Sequence, residues 1–253
     1  MSFNVAASAY DQFMGRYSSP LAPLFADFAS VTGGQRGVDV GCGPGALTAE
    51  LVGRLGADNV SAADPSEPFV AAIRDRYPTV TVHHAAAEDL PFADDSFDAA
   101  LAQLVVHFMA DPVAGLREMG RVARSGGVVA ACVWDHEGGE GPLSLYWDAV
   151  RQLDPDARTE SGMAGAREGH LIELFGESGL GEVQGGVLSV SVPHQTFEEF
   201  WEPYTLGVGP AGKYMADLDV ARQVELRELC RTMLPAPPFT VTAKAWAARG
   251  TAQ

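Results

Sequence analysis

The chain has 253 residues, of which 47% are hydrophobic and 20% charged, a balance that supports a sizeable core and is too apolar for an unfolded chain. Acidic residues outnumber basic ones 33 to 17, giving a formal net charge of −16, and Lys213 and Lys244 are the only lysines; affinity for polyphosphate surfaces needs clustered Lys and Arg, so neither nucleic acid nor an anionic membrane is an expected partner. Cys42, Cys132 and Cys230 are far apart with no CxxC, the N-terminal stretch lacks a basic start followed by an apolar run, and no apolar run reaches the ~20 residues of a bilayer span, so the expectation is a cytoplasmic protein with neither a disulfide framework nor a metal site.

From residue 37 to 134, short β-rich runs alternate with helical stretches, the pattern of parallel βαβ units. Residues 37–40 read as a strand, followed by a glycine turn and a helix over 45–55. Residues 60–64 form the second predicted strand, and a helix opens near Ser66, whose hydroxyl is placed to cap it. A third strand covers 80–84, a loop 88–96, a fourth strand 97–104 and a helix 112–123. Gly126 and Gly127 then turn the chain into a buried fifth strand over 128–134. Beyond Trp134 the pattern loosens. An amphipathic piece at 146–153, a helix at 167–178 and an alternating strand at 187–193 precede a glycine-broken helical segment at 196–234. The alternation at 239–246 predicts a last half-buried strand, and two strands arriving after a parallel set suggest an antiparallel addition at the sheet edge.

The strongest local signal is Val38-Asp39-Val40-Gly41-Cys42-Gly43-Pro44-Gly45, a strand that ends in glycines and opens a helix. Glycine permits close backbone approach of a flat ligand, and the helix start offers free N–H groups. Gly41, Gly43 and Ala46 also satisfy the dinucleotide fingerprint G-x-G-x-x-A, and Asp64 at the end of the second strand suits the ribose diol of either NAD or an adenosyl sulfonium. Three features favour the sulfonium. Asp39, two residues before Gly41, would attract an ammonium and repel a pyrophosphate. The stretch Ala86-Ala87-Glu88-Asp89-Leu90-Pro91-Phe92 follows the third strand, where a carboxylate and a backbone N–H can read an adenine edge. The late antiparallel strand is unusual for dinucleotide domains.

The segments VDVGCGPGALT (38–48), AADPSEPFV (62–70), AAAEDLPFADDSFDAALAQLVVHF (85–108) and RVARSGGVVAACVWD (121–135) resemble the successive motifs of class I S-adenosylmethionine-dependent methyltransferases, most closely the ubiquinone and menaquinone C-methyltransferase branch. The resemblance covers about the first 135 residues. It implies an α/β fold, a Rossmann-like doubly wound sheet of seven strands, mostly parallel with an antiparallel late strand, carrying helical cap segments. On this reading residues 1–253 are one methyltransferase domain: N-terminal helices over the cofactor at 1–30, a cofactor-binding core at 31–135, and an acceptor-side half at 136–253 with a cap insert at about 194–235. Carried over by position, Asp39, Gly41, Cys42, Gly43 and Gly45 contact the methionine moiety, and Asp64 binds the ribose with Pro65 and Ser66 beside the adenine. Ala87 and Glu88 read the adenine edge, with Asp89 as the alternative to Glu88; Gln103 and Leu104 flank the sulfonium; Arg16 and Tyr17 reach the carboxylate.

Methyl transfer from a sulfonium is an in-line displacement that needs orientation more than acid–base help. Groups acting on a small-molecule acceptor belong at the C-terminal ends of the strands. His107 and His136 are the candidate bases there, while His83, His84, His170 and His194 read as structural or exposed. Trp134, Tyr146, Trp201 and Tyr204 are candidate acceptor contacts, against the alternative that the late aromatics, with Trp147, Phe197, Phe200 and Tyr214, only build the core of a cap. The competing functions are a non-methylating enzyme using the same cofactor for cyclisation or elimination, a nicotinamide-dependent oxidoreductase, and a binding module without chemistry. The oligomeric state is open.

Overall fold

The computed structural model describes residues 7–253. Five strands run parallel: β1 (Gly37–Val40), β2 (Val60–Asp64), β3 (Thr81–His84), β4 (Phe97–Gln103) and β5 (Ala123–Trp134). β6 (Gly181–His194) and β7 (Phe239–Thr251) complete one sheet of order β3-β2-β1-β4-β5-β7-β6. β7 is antiparallel to both β5 and β6, so it lies between them, and β6 takes the edge. The antiparallel strand is therefore embedded one place in from the edge. Reversal of order between β1 and β4 opens a crevice at the C-terminal strand ends, where ligands collect in such sheets.

Alternate residues of the central strands serve opposite faces. Val38, Val40, Ala100, Ala102, Val129, Ala131 and Val133 pack with Leu116, Met119 and Val122 of α5 (Pro112–Val122) and Leu171, Leu174 and Phe175 of α7 (His170–Glu177). Ala99, Leu101, Ala130, Cys132 and Trp134 face the other way, onto α2 (Arg16–Phe28), α3 (Ala46–Leu55) and α4 (Glu67–Arg76). The many alanines leave room for helices to lie close: an added Cβ on Gly186 of β6 would stand 2.6 Å from the Phe28 ring.

β5 begins five residues before the predicted strand, because Ala123 already pairs with Phe97 before a register shift. β6 and β7 also outrun their sequence patterns, since most of their residues are held by twelve matched pairs rather than by burial. Ser66 occupies the N-cap position of α4 but its side chain makes no capping hydrogen bond. Asp111 does cap α5, accepting from the Ala114 N–H at 3.0 Å. At the N-terminus α1 (Ala7–Tyr10) runs through a π-turn, Asp11–Gly15, into α2, placing this helical stretch over the crevice. The cap comprises α8 (Phe197–Trp201), a 3-10 turn at Glu202–Leu206, α9 (Gly209–Asp217) and α10 (Val220–Met233), packed on α6 (Ser144–Leu153). Among the described residues no helix is long and apolar enough to cross a membrane.

Candidate functional site

The crevice holds a cavity of about 240 Å³. Its floor is the turn after β1. Gly41, Gly43 and Gly45 have φ of +71°, +52° and +102°. At Gly41 an added Cβ would lie 2.4 Å from Val105 Cγ1, and at Gly45 2.3 Å from Ile73 Cδ1, so packing as well as backbone angle demands glycine. At Gly43 such a Cβ meets nothing within 4 Å: this glycine faces the cavity.

Two carboxylates stand in the wall. Asp39, only 1% exposed, accepts a 2.6 Å hydrogen bond from the Thr48 hydroxyl. Burial lifts its carboxyl to about 7, opposed by the Thr48 bond and helped by the charge of Asp64. Asp64 closes β2 with its oxygens shared between the N–H groups of Gly43 (2.9 Å) and Ser66 (2.8 Å). Burial raises its carboxyl too, with those two bonds pulling the other way. Each Asp64 oxygen accepts one bond from the protein and keeps a lone pair for a diol. The Cys42 thiol is driven well above its ordinary value by burial and by both carboxylates, which keeps it protonated and unreactive.

Further along, Ala87 and Glu88 line the cavity, and Glu88 Oε1 accepts from the N–H groups of Ala110 (2.7 Å) and Asp111 (3.1 Å). Asp89 is exposed and off the lining. Gln103 donates from Nε2 to the Ser18 carbonyl at 3.0 Å, tying α2 to the end of β4, while its Oε1 is buried without a partner among the described residues. Leu104 holds φ +62°, a conformation costing about 1–3 kcal/mol for a non-glycine residue, where the chain leaves β4 between this cavity and the next.

A second, smaller cavity of about 30 Å³ shares Tyr10, Leu104 and Phe108 with the first. His107, His136, Trp134 and Glu160 line it. The two imidazole centroids are 5.7 Å apart. Burial, with His136 beside it, holds His107 well below its ordinary value, and burial brings His136 down to about 4 against the pull of Asp135. Glu160 is 3% exposed, accepts from Trp147 Nε1 at 2.8 Å, and is lifted by burial to about 7.

The remaining sequence candidates lie elsewhere. Arg16 donates to the Glu199 carbonyl at 2.6 Å, and the Tyr17 hydroxyl lies 3.4 Å from His194 Nε2; both border a small hollow beside Tyr204 rather than the main cavity. Tyr146 is fully buried, donates to the Ala211 carbonyl at 3.1 Å and stacks on Tyr204 at 4.2 Å, and Trp201 packs against Tyr204 and Phe197. These three aromatics form the packed core between α6 and the cap. Of the four, Trp134 alone lines the cavity that holds His107 and His136, while Tyr204 borders only the small hollow beside Arg16 and Tyr17. Sequence reasoning did not single out Ser18, Phe69, Phe108 and Met109 in the first cavity, nor Glu160 in the second, whereas Tyr10 belongs to the N-terminal stretch expected over the cofactor. Phe69 and Phe108 lie inside the quoted motifs, whereas Glu160 sits in an irregular loop that carries no signal.

Residues 38–131 match the family model of a methyltransferase domain. An uncharacterized methyltransferase of Mycobacterium tuberculosis is 36% identical over 135 residues, covering 53% of this chain and 52% of that protein. The chain thus matches about half the length of that relative. The 2-methyl-6-phytyl-1,4-hydroquinone methyltransferase 2 of rice, a chloroplastic protein, is 38% identical over 100 residues, 39% of this chain and 28% of that one. Among solved structures, the YcgJ protein of Bacillus subtilis superposes with a TM-score of 0.60 at 18% identity, covering 92% of this chain and 98% of that one. At that identity the likeness is one of fold, and the fold agrees with the seven-stranded Rossmann-like expectation.

Proposed function

We propose that the protein binds S-adenosylmethionine in the larger cavity and transfers its methyl group to a small molecule held in the smaller one. The observation that carries this reading is a cavity at the β1–β4 switch point walled by the buried carboxylates Asp39 and Asp64, with no Lys or Arg among the described residues of its lining. Such a wall attracts an ammonium and a diol and offers a diphosphate no counter-charge. Gly43 leaves open the space a Cβ would fill, and Gln103 Oε1 waits for a donor, so the residues present fit the cofactor.

Asp39 would hold the amino group, with Gly41, Cys42 and Gly43 against the methionine moiety; Asp64 would take the ribose diol; Pro65 and Ser66 would lie beside the adenine, and Ala87 and Glu88 at its edge. Gln103 and Leu104 would flank the sulfur. Arg16, Tyr17, Gly45 and Asp89 drop out of this assignment because other contacts engage them or they lie outside the lining. When bound, the cofactor supplies an electrophilic methyl on a positively charged sulfur. His107, His136 and Trp134 would position the acceptor, and the buried aromatic walls exclude water. The partial match to a rice hydroquinone methyltransferase supports a flat acceptor of the quinone kind, and the acidic, lysine-poor composition supports a soluble cytoplasmic small-molecule enzyme.

Calorimetry tests the reading. S-adenosylhomocysteine should bind with micromolar affinity and NAD should give no heat; the reverse pattern would falsify the assignment. Appearance of S-adenosylhomocysteine as product with an acceptor panel separates methyl transfer from a reaction in which the cofactor survives.

A further inference from the structure

The polar side chains that line the smaller cavity specify the guest more narrowly than its size does. His107 Nδ1, His136 Nε2 and Trp134 Nε1 are all buried and lack a hydrogen-bond partner among the described residues. His107 is 8% exposed and Trp134 2%. An indole N–H only donates, whereas a neutral imidazole offers one nitrogen that accepts. Leaving three such groups dry costs free energy that a ligand can recover by pairing them. A hydroxyl can do this with one atom: its two lone pairs accept from the indole N–H and from an imidazole nitrogen that carries its proton, and its O–H donates to the other imidazole. An ammonium cannot accept, so it leaves Trp134 unsatisfied. A carboxylate cannot donate and would lie in a lining that holds Glu160 and no Lys or Arg. Tyr10, Phe13, Phe108 and Trp134 supply flat apolar walls.

From these features we infer that the methyl acceptor is a neutral aromatic alcohol, a phenol in the chemical sense, bound by its hydroxyl between Trp134 and the His107–His136 pair and methylated on that oxygen. The inference rests on the methyl-transfer reading of the same site. The phenolic proton passes to an imidazole nitrogen; the oxygen's electron pair forms the new C–O bond while the carbon–sulfur bond breaks and its pair stays on sulfur. The products are the methyl ether, S-adenosylhomocysteine and an imidazolium. His136 is the better proton acceptor of the two, being partly exposed for later release to water and adjacent to the Asp135 carboxylate. The cavity has room for about two water-sized guests, so it receives the hydroxyl end, and the ring enters by displacing the cover at Val208, Gly209 and Pro210. Positive φ at Gly207 (+71°) and Gly209 (+62°) flanks Val208 within that cover.

The test titrates phenol, catechol, anisole, benzoate and benzylamine into protein saturated with S-adenosylhomocysteine, whose own heat is measured first. Phenol or catechol should bind at least tenfold more tightly than anisole, which keeps the ring but lacks the O–H. Trp134→Phe, which retains the aromatic wall, should remove most of that discrimination without changing S-adenosylhomocysteine affinity. His136→Asn should lower kcat more than it raises KM for the phenol and should shift the pH profile. Equal binding of phenol and anisole, tighter binding of benzylamine with its loss in Glu160→Gln, or no binding of any phenol to the saturated protein would each overturn the inference. Absence of heat with S-adenosylhomocysteine would instead overturn the methyl-transfer reading on which it stands.

Discussion

Asp39 lies in the cavity wall with a single hydroxyl donor beside it, and its carboxyl titrates near 7 in the folded protein. That value lies above the unfolded one, so the group costs nothing while protonated at low pH and costs progressively more until it is fully ionised above about pH 7. An ammonium placed opposite it favours the ionised form. Affinity for S-adenosylhomocysteine should therefore fall about tenfold per pH unit below 7 and level off above it, as calorimetry between about pH 5.5 and about pH 8 would show. Asp39→Asn retains an acceptor for Thr48, so it should leave the unliganded protein at least as stable at pH 8. It should weaken the ligand by about 10–100-fold and flatten the pH dependence. A variant whose affinity still rises through pH 7 would show that another group controls binding.

At the scale of an element, the turn between β1 and α3 separates glycines with different duties. Gly41→Ala combines a positive φ with a contact on the branched Val105 side chain, and should cost about 2–4 kcal/mol of stability in denaturant titration. Gly43→Ala shares the positive φ but has open space, so it should cost only about 1 kcal/mol. Its methyl enters the cavity, however, and should reduce cofactor affinity by more than the stability loss explains. The sequence showed the string of glycines but not this division. Which atoms approach Gly41 and Gly45 is set by Val105 and Ile73, residues 64 and 28 positions away by numbering. The same limit applies to β5, whose start at Ala123 follows from a partner strand rather than from its own composition.

For the whole molecule, the position of β7 decides how the C-terminal half is held. Because β7 pairs with both β5 and β6, removing residues 239–253 would strip the last strand from two neighbours and take Ala243, Ala245, Ala247 and Ala248 out of the core. The shortened chain should lose its cooperative thermal transition and aggregate, as calorimetry and light scattering would detect. Had the antiparallel strand lain at the edge, trimming it would leave the rest of the sheet intact, so a folded truncated chain would contradict the observed strand order.

By itself the sequence pointed to the parallel half of the sheet and to half of the residues that line the larger cavity. There the signals are local: continuous apolar strands buried on both faces, glycines at fixed offsets, and Asp39 and Asp64 at the ends of consecutive strands. Only tertiary structure decided the lining of the smaller cavity. It withdrew Tyr146, Trp201 and Tyr204 into the packed core between α6 and the cap, and brought Glu160 from a loop without pattern into line with His107 and His136. Periodicity reports which face of an element is apolar, but not which apolar faces meet. A cavity is the space left where they do not quite meet, and its lining is settled by long-range packing.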